Sequence, residues 1–314
     1  MTVMKEKVTV VVPVKDRERL LPRALDSVAA QSYRPIELIV VDNGSTDNTP
    51  AIARSWADKH AADDFTVKVL TEPTPGAAAA RNRGLAAATA PYILFFDSDD
   101  TMRPQLITKA MKAFESSPDT QLVYWRGAYH LANGSSGSFH FTRTGRLHCQ
   151  LLHSLLSTIF YMSRTDYMRG VGGWNATLRG WDDWELGIRL LLPSPVTTGL
   201  DETLVDVYAQ EESITGTSFS SRHGVWERAL DAAEHSILAS SRPDNEYYRL
   251  LTDYRRIILA ACYRREGHPD YAHELLHKTL AKPVVTPWQR LKLRLAYRYT
   301  ALGGRAAYLL FPRP

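Results

Sequence analysis

The sequence predicts an α/β fold in which a doubly wound, mostly parallel sheet is followed by an α-helical C-terminal region. Short β-branched runs alternate with segments of helical period through the first two-thirds of the chain, the pattern of strands joined by crossover helices. The runs Val8 to Val14, Ile36 to Val41 and Tyr92 to Phe96 are dominated by apolar residues, as strands covered on both faces must be. From about Trp226 onward only helical periodicity remains. A boundary is therefore expected near 215–225, giving an α/β domain over 1–215, with halves of about 1–103 and 104–215, and a helical region over 216–314.

Taken in order, Val8 to Val14 is the first strand. Leu21 to Gln31 reads as a helix, with Pro22 in its first turn and Leu21, Leu25 and Val28 on one face. After the strand Ile36 to Val41, the turn Asp42-Asn43-Gly44-Ser45 leads to Thr49 as N-cap and Pro50 as first helical residue. Phe65 to Thr71 is the next strand. Gly76 opens the Ala-rich helix that carries Arg81, Asn82 and Arg83, and Tyr92 to Asp97 is the central strand. Beyond it come a helix from Pro104 to Phe114, a strand from Leu122 to Tyr129 and a hairpin-like loop from Asn133 to Gly137. A helix and then a strand at Thr158 to Met162 fill Leu151 to Ser163. A helix begins in Trp181 to Leu186, and a last strand runs from Thr203 to Tyr208.

The chain has 314 residues, 44% of them apolar, ample for a core. Its two cysteines, Cys149 and Cys262, exclude a disulfide framework and a thiolate zinc site. Val8 to Val14 is too short for a signal sequence, contains Thr and Pro, and has no cleavage site after it. No apolar run is long enough to span a bilayer. These features predict a cytoplasmic protein whose membrane contact is peripheral at most. The net charge of +4 is unevenly spread: residues 286–314 hold six Lys or Arg and no acid.

Chemistry concentrates at strand ends. Asp97-Ser98-Asp99-Asp100 follows an apolar run directly. Carboxylates crowded this way repel unless a proton or a cation intervenes, and an all-oxygen cluster suits Mg²⁺ or Mn²⁺. Asp42 also ends an apolar strand, so both should face one cleft at the carboxyl edge of the sheet. The competing possibilities are local: an Asx turn for Asp42, a solvated helix position for Arg81, and a cap on the helix at Pro104 for Asp100.

Five ordered segments, Val11 to Asp16, Val40 to Asp47, Ala80 to Gly84, Phe96 to Asp100 and Asp182 to Leu186, together resemble the motifs of the family 2 glycosyltransferases, inverting enzymes of the GT-A fold. The likeness runs from about Val8 to Tyr208. It implies a nucleotide-sugar site in which Asp42 hydrogen-bonds the base, Arg81 lies near base or ribose, and the turn Pro13, Val14 and Asp16 forms a wall. It makes Asp99 the direct metal ligand, with Asp97 toward the ribose or as a second ligand and Ser98 between them, the cofactor being Mn²⁺ or Mg²⁺. Among Asp182, Asp183 and Glu185, the spacing Asp182-x-x-Glu185 is that of a capping box. Asp183 has no part in such a cap, and it matches the family's general base. Trp181 and Trp184 flank it, as acceptor-stacking or as core residues.

One departure stands out: many members of the family it resembles carry a basic residue or His on the loop after the last strand, where this chain reads Tyr208-Ala209-Gln210-Glu211-Glu212-Ser213. Arg222, His223 or the stretch from Ser213 to Ser221 could substitute. The resemblance implies transfer from a nucleotide-sugar, expected to be a UDP-sugar, to an acceptor hydroxyl on a lipid-linked saccharide, or else on a peptide or small natural product. The non-enzymatic rival is a nucleotide-sugar-binding scaffold. Ala260 to Pro283 resembles a single tetratricopeptide-type hairpin, which cannot bury its own face and must pack on the body or on a second copy, as in a homodimer. Trp288, Leu291, Leu295 and Tyr299 share a helical face flanked by Arg290, Arg294, Arg298 and Lys292. This is the pattern of an interfacial helix or of an ordinary docked one. A nucleic-acid partner is not expected, because no stacking platform or recognisable module accompanies the basic residues.

Overall fold

A computed structural model describes residues 5–131, 135–138, 145–209 and 218–311. The first half holds β1 (Val8–Val14), α1 (Leu21–Ala29), β2 (Ile36–Asp42), α2 (Thr49–His60), β3 (Phe65–Thr71), α3 (Ala77–Ala87) and β4 (Tyr92–Phe95). There follow β5 (Thr101–Met102), α4 (Leu106–Ser116), β6 (Leu122–His130), β7 (Ser136–Ser138), α5 (Arg146–His153), β8 (Tyr161–Arg164), α6 (Thr165–Gly170), α7 (Asp182–Leu191) and β9 (Thr197–Tyr208). The helices α8 (Val225–Ala239), α9 (Asn245–Arg265), α10 (Pro269–Leu280) and α11 (Pro287–Ala301) complete the described chain.

The strands form one sheet in the order β3-β2-β1-β4-β8-β6-β9-β5, with β7 beside β6. From β3 to β4 every pairing is parallel, and β8 opposes β4 and β6. The predicted doubly wound, mostly parallel sheet with a helical C-terminal region is what the chain forms. In β1 and β2 every residue is buried. Within them Glu37 accepts hydrogen bonds from Thr9 Oγ1 (2.7 Å), Lys68 Nζ (2.7 Å) and Thr89 N–H (2.9 Å). Burying it is tolerable because each of its oxygens is satisfied.

Two compact units divide the chain: residues 1–143, 156–186 and 194–210 in one, and 144–155, 187–193 and 211–314 in the other. No local pattern in the sequence signals that 144–155 and 187–193 group with the helical unit. Within that unit α9 is central, packed by α8, α10 and α11. It buries Arg249, Asp253 and Arg256, and Asp253 receives Arg249 (2.7 Å), Arg256 (3.1 Å) and Lys282 (2.7 Å). The hairpin of α9 and α10 therefore covers its apolar face within its own unit.

Several predicted boundaries move. Thr49 is the first residue of α2 rather than its cap, because its hydroxyl accepts the Arg17 amide (2.8 Å). Pro104 lies before α4, whose first residue is Leu106. The strand expected at Thr158 starts at Tyr161, after a short 3₁₀ turn. β9 starts at Thr197, six residues early, although Gly199 and two acidic residues argue against strand by propensity. Its first half pairs with β6 through register shifts around Arg126, and Gly199 is needed there because a Cβ would meet the Tyr124 ring at 2.9 Å. Of the hairpin expected at Asn133 to Gly137, the pairing of β6 with β7 is seen; 132–134 lie outside the described residues.

The small residues of α3 let it lie close on β1. At Gly84 a Cβ would sit 2.3 Å from Val11 Cγ1, and a β-branched core side chain has no free rotamer to retreat to. Gly84→Ala is expected to lower unfolding free energy by about 1–3 kcal/mol through overpacking, read by urea denaturation. Unchanged stability would show that α3 is not seated this closely.

Candidate active site

The carboxyl ends of β1 and β2 lie level, and β4 ends beside them opposite Val11, so that the residues after Phe95 run along the last part of β1. Val14 pairs with Asp42, and the Phe96 amide donates to the Val11 carbonyl (2.8 Å). The chain leaves each strand into a loop, and the three loops form one rim. Asp16, at φ 50°, ties two of them together: its carboxylate accepts the Thr46 amide (2.7 Å) and hydroxyl (3.1 Å), and its own amide donates to Ser45 Oγ (2.9 Å). Pro13 and Val14 are buried in the strand end. Asp42 is buried and accepts the Ser45 amide (3.3 Å), as an Asx turn would, through Oδ1. Asn43 fastens the next loop through its amide nitrogen to Glu72 O (2.9 Å) and Thr74 O (2.8 Å), and through its oxygen to Gly76 N–H (2.7 Å).

Arg81 joins this rim to the acidic start of α7. It is buried, and its guanidinium donates to Asp97 Oδ1 (2.9 Å) and to Asp182 Oδ2 (3.1 Å) while stacking on Trp174 at 4.4 Å. Two flanking carboxylates raise its pKa against the opposing effect of burial. Its Nε has no hydrogen-bond partner among the described residues. Asp182 is thus engaged by Arg81 through Oδ2, and it is the first residue of α7 rather than the residue before it. Trp181, the residue before α7, has φ 53°, a left-handed conformation that costs a bulky residue about 1–2 kcal/mol. Such strain persists where neighbouring contacts over-determine it, often at functional sites. Trp184 is fully buried, so its face is not open to an acceptor and packing is its role. Trp181 is only half-buried.

Asp183 lies between Asp182 and Trp184, whose amide donates to its Oδ1 (2.7 Å). Desolvation, with the Asp182 charge added, pushes its pKa up to about 6, against the pull of Arg81. Tyr129 of β6 lies in the field of Asp100 and Asp183; burial first, then those charges, push its pKa up to about 12, so the phenol stays neutral.

The three carboxylates after β4 have separate surroundings. Asp97 has one oxygen on Arg81. Asp100 is buried and accepts the Tyr208 amide (3.0 Å), so it anchors the end of β9 and does not cap α4. The carboxylate of Asp99 has no ion pair and no hydrogen bond from another of the described residues; desolvation and then Asp97 raise its pKa. Ser98 is buried. Among the described residues no three His, Cys, Asp or Glu side chains form a metal cage. One free carboxylate beside two engaged ones instead fits a hard cation that takes its remaining ligands from substrate phosphates.

Some participants carry no sequence signal. Trp174 supports Arg81 and is held at both backbone atoms by Asn82, which donates to Trp174 O (2.7 Å) and accepts its N–H (2.8 Å). Arg23 of α1 stacks on the Tyr208 ring at 4.0 Å and donates to the Asp99 carbonyl. His223 is stacked on Tyr271 (4.0 Å) within the helical unit, while 210–217, which include most of the expected substitute loop, lie outside the described residues.

A sequence profile of the family described as Glycosyl transferase family 2 matches residues 9–167. Glycosyltransferase GlyG of Streptococcus pneumoniae is 34% identical over 147 residues, 46% of each chain. Glycosyltransferase GlyA of the same organism is 31% identical over 165 residues, 52% of this chain and 23% of that one. This chain therefore spans less than half the length of either relative. In structure it resembles S. aureus TarS 1-349 in complex with UDP-GlcNAc, with a TM-score of 0.70 at 17% identity over 95% of this chain and 92% of that chain. It also resembles the mannosyltransferase PcManGT of Pyrobaculum calidifontis in complex with GDP-Man and Mn²⁺, with a TM-score of 0.54 at 19% identity over 96% and 88%. Likeness at these identities speaks for the fold, the GT-A type expected from the sequence. Because the profile covers half of the chain and falls on the sheet that builds the rim, this protein belongs to glycosyl transferase family 2.

Proposed function

We propose that the chain is a metal-dependent, inverting glycosyltransferase that moves a sugar from a UDP-sugar to a hydroxyl of a saccharide acceptor. The observation that carries this is Arg81, which spans from Asp97 to Asp182 and so holds the strand-end carboxylates and the acidic helix start in one site. A donor site and a proton acceptor are thereby adjacent, as single displacement requires. UDP as the nucleotide is supported by the TarS complex; the mannosyltransferase complex carries GDP-Man and Mn²⁺.

In the proposed reaction the acceptor oxygen attacks the anomeric carbon from the face opposite the diphosphate. The new C–O bond forms as the bond to the phosphate oxygen breaks, the proton passes to Asp183, and the nucleoside diphosphate leaves. Asp183 suits this task because a carboxylate with a pKa of about 6 is ionised at neutral pH yet basic enough to hold a proton. Arg81 keeps it ionised and aligned through Asp182. Asp42 and the Asp16-Ser45-Thr46 wall would bound the nucleoside, with Ser98 beneath. Asp99, assisted by the free oxygen of Asp97, would hold a divalent cation, which when bound neutralises charge on the departing diphosphate. Arg23, on Tyr208, supplies a fixed cation at the end of β9 and is our candidate for the missing basic contact. Trp181 is the remaining candidate for stacking on the acceptor.

Asp183→Asn should lower transfer by about 10²–10⁴-fold while calorimetry shows UDP-sugar binding unchanged; full transfer in that variant would remove Asp183 as base. In the parent enzyme the rate should fall about tenfold per pH unit below about pH 6, as Asp183 takes up its proton. A profile flat down to pH 4 would be incompatible with this assignment. For the metal, calorimetry of UDP with and without Mn²⁺ should show tighter binding with the ion in the parent and no such gain in Asp99→Ala. An equal gain in both would place the cation elsewhere.

A further inference from the structure

We infer that α11 is a membrane-docking helix that lays its outer face on an anionic lipid surface. It requires nothing of the reaction proposed above. Leu293, Ala296 and Thr300 turn inward against α9 and are buried. On another side Trp288 (64% exposed), Leu291 (45%), Leu295 (48%), Tyr299 (53%) and Leu302 (90%) stand in solvent. At the 100° step of a helix these five fall within a stripe about 80° wide. An ordinary docked helix would have its apolar stripe inward; here a second stripe faces out. Val284, Leu309 and Leu310 are also exposed, so most of the large exposed hydrophobics of the described chain lie in this last stretch.

The charge pattern identifies what covers the stripe. Lys292 borders it on one side, near the Trp288 ring at 5.7 Å, and Arg294 and Arg298, both exposed, border it on the other. After Glu274 the sequence has no acidic residue at all. Cations on both flanks of an apolar stripe match an interface in which hydrocarbon lies below and phosphates lie beside. Trp288 and Tyr299 add the apolar body and polar edge that favour the headgroup level. A second copy of the chain is a poorer occupant, because a two-fold contact would set these cations against their own images.

Flotation of the full chain with phosphatidylcholine vesicles, with and without phosphatidylglycerol, tests this. The parent should float with the anionic vesicles, lose binding at high salt, and float poorly with the neutral ones. Leu291→Glu with Leu295→Glu should abolish flotation. Lys292→Gln, Arg294→Gln and Arg298→Gln together keep the stripe and should weaken binding to anionic vesicles by about a hundredfold, at roughly 1 kcal/mol per cation. The inference is overturned if the parent stays unbound with phosphatidylglycerol vesicles, or if the double Glu variant floats as the parent does. It is also overturned if the parent sediments as a dimer that the Glu variant splits and binds no vesicle, which would give the face to a second copy.

Discussion

The arrangement of the rim depends on one cation, the guanidinium of Arg81, held between Asp97 and Asp182. Those carboxylates are 85 residues apart in sequence, and each belongs to a cluster of acids that would otherwise repel its neighbours. A buried arginine with planar donors satisfies both in one geometry, which a lysine's point charge would not fix. Arg81 is buried while both acids are partly exposed, so removing an acid leaves the buried guanidinium short of a partner and is costly mainly on that account. Arg81 therefore accounts at once for the closeness of the two acidic segments and for their tolerance of burial.

Arg81 can only reach this position because α3 is built of small residues. Gly84 rests against Val11 with no room for a methyl group, and Ala78, Ala79 and Ala80 are buried. A larger residue on that face would lift the helix and withdraw the guanidinium. The next residue, Asn82, fixes Trp174 by its backbone, and Trp174 supplies the aromatic plane under Arg81. One helical turn thus holds the ion pair, its stacking partner and the loop that leads to α7.

Much of this was legible in the sequence, and the limits have physical causes. Strands such as β1 and β2 are buried on both faces, so their apolar runs identify them whatever surrounds them. The strand-end acids were visible because apolar runs rarely end in several carboxylates. What could not be read was which acid meets which partner. Asp100 looked like a cap for α4 because caps are local, yet it reaches Tyr208, whose position is set by the pairing of β5 with β9. Asp182 and Glu185 have capping-box spacing, but the partner of Asp182 comes from α3. The early start of β9 was hidden because Gly199 counts against a strand until the Tyr124 ring above it is known. In each case a tertiary contact overrode a local preference.

The carboxylates of the rim are also unequal in a way that composition alone would not suggest. Asp97 and Asp182 are compensated by Arg81, whereas the pKa of Asp100, although it accepts the Tyr208 amide, is pushed up to about 8 by burial and by the charges of Asp97 and Asp99. Asp99 and Asp183 have no ion pair among the described residues, and the pKa of each is raised because burial and neighbouring carboxylates outweigh the pull of the nearby arginines. Folding alone would favour replacing such groups, because an acid with a raised pKa lowers stability as pH rises through that value. In the reaction proposed above, two of these acids have a use for that condition: Asp99 would meet its positive charge as a cation carried with the donor, and Asp183 would meet it as the acceptor's proton.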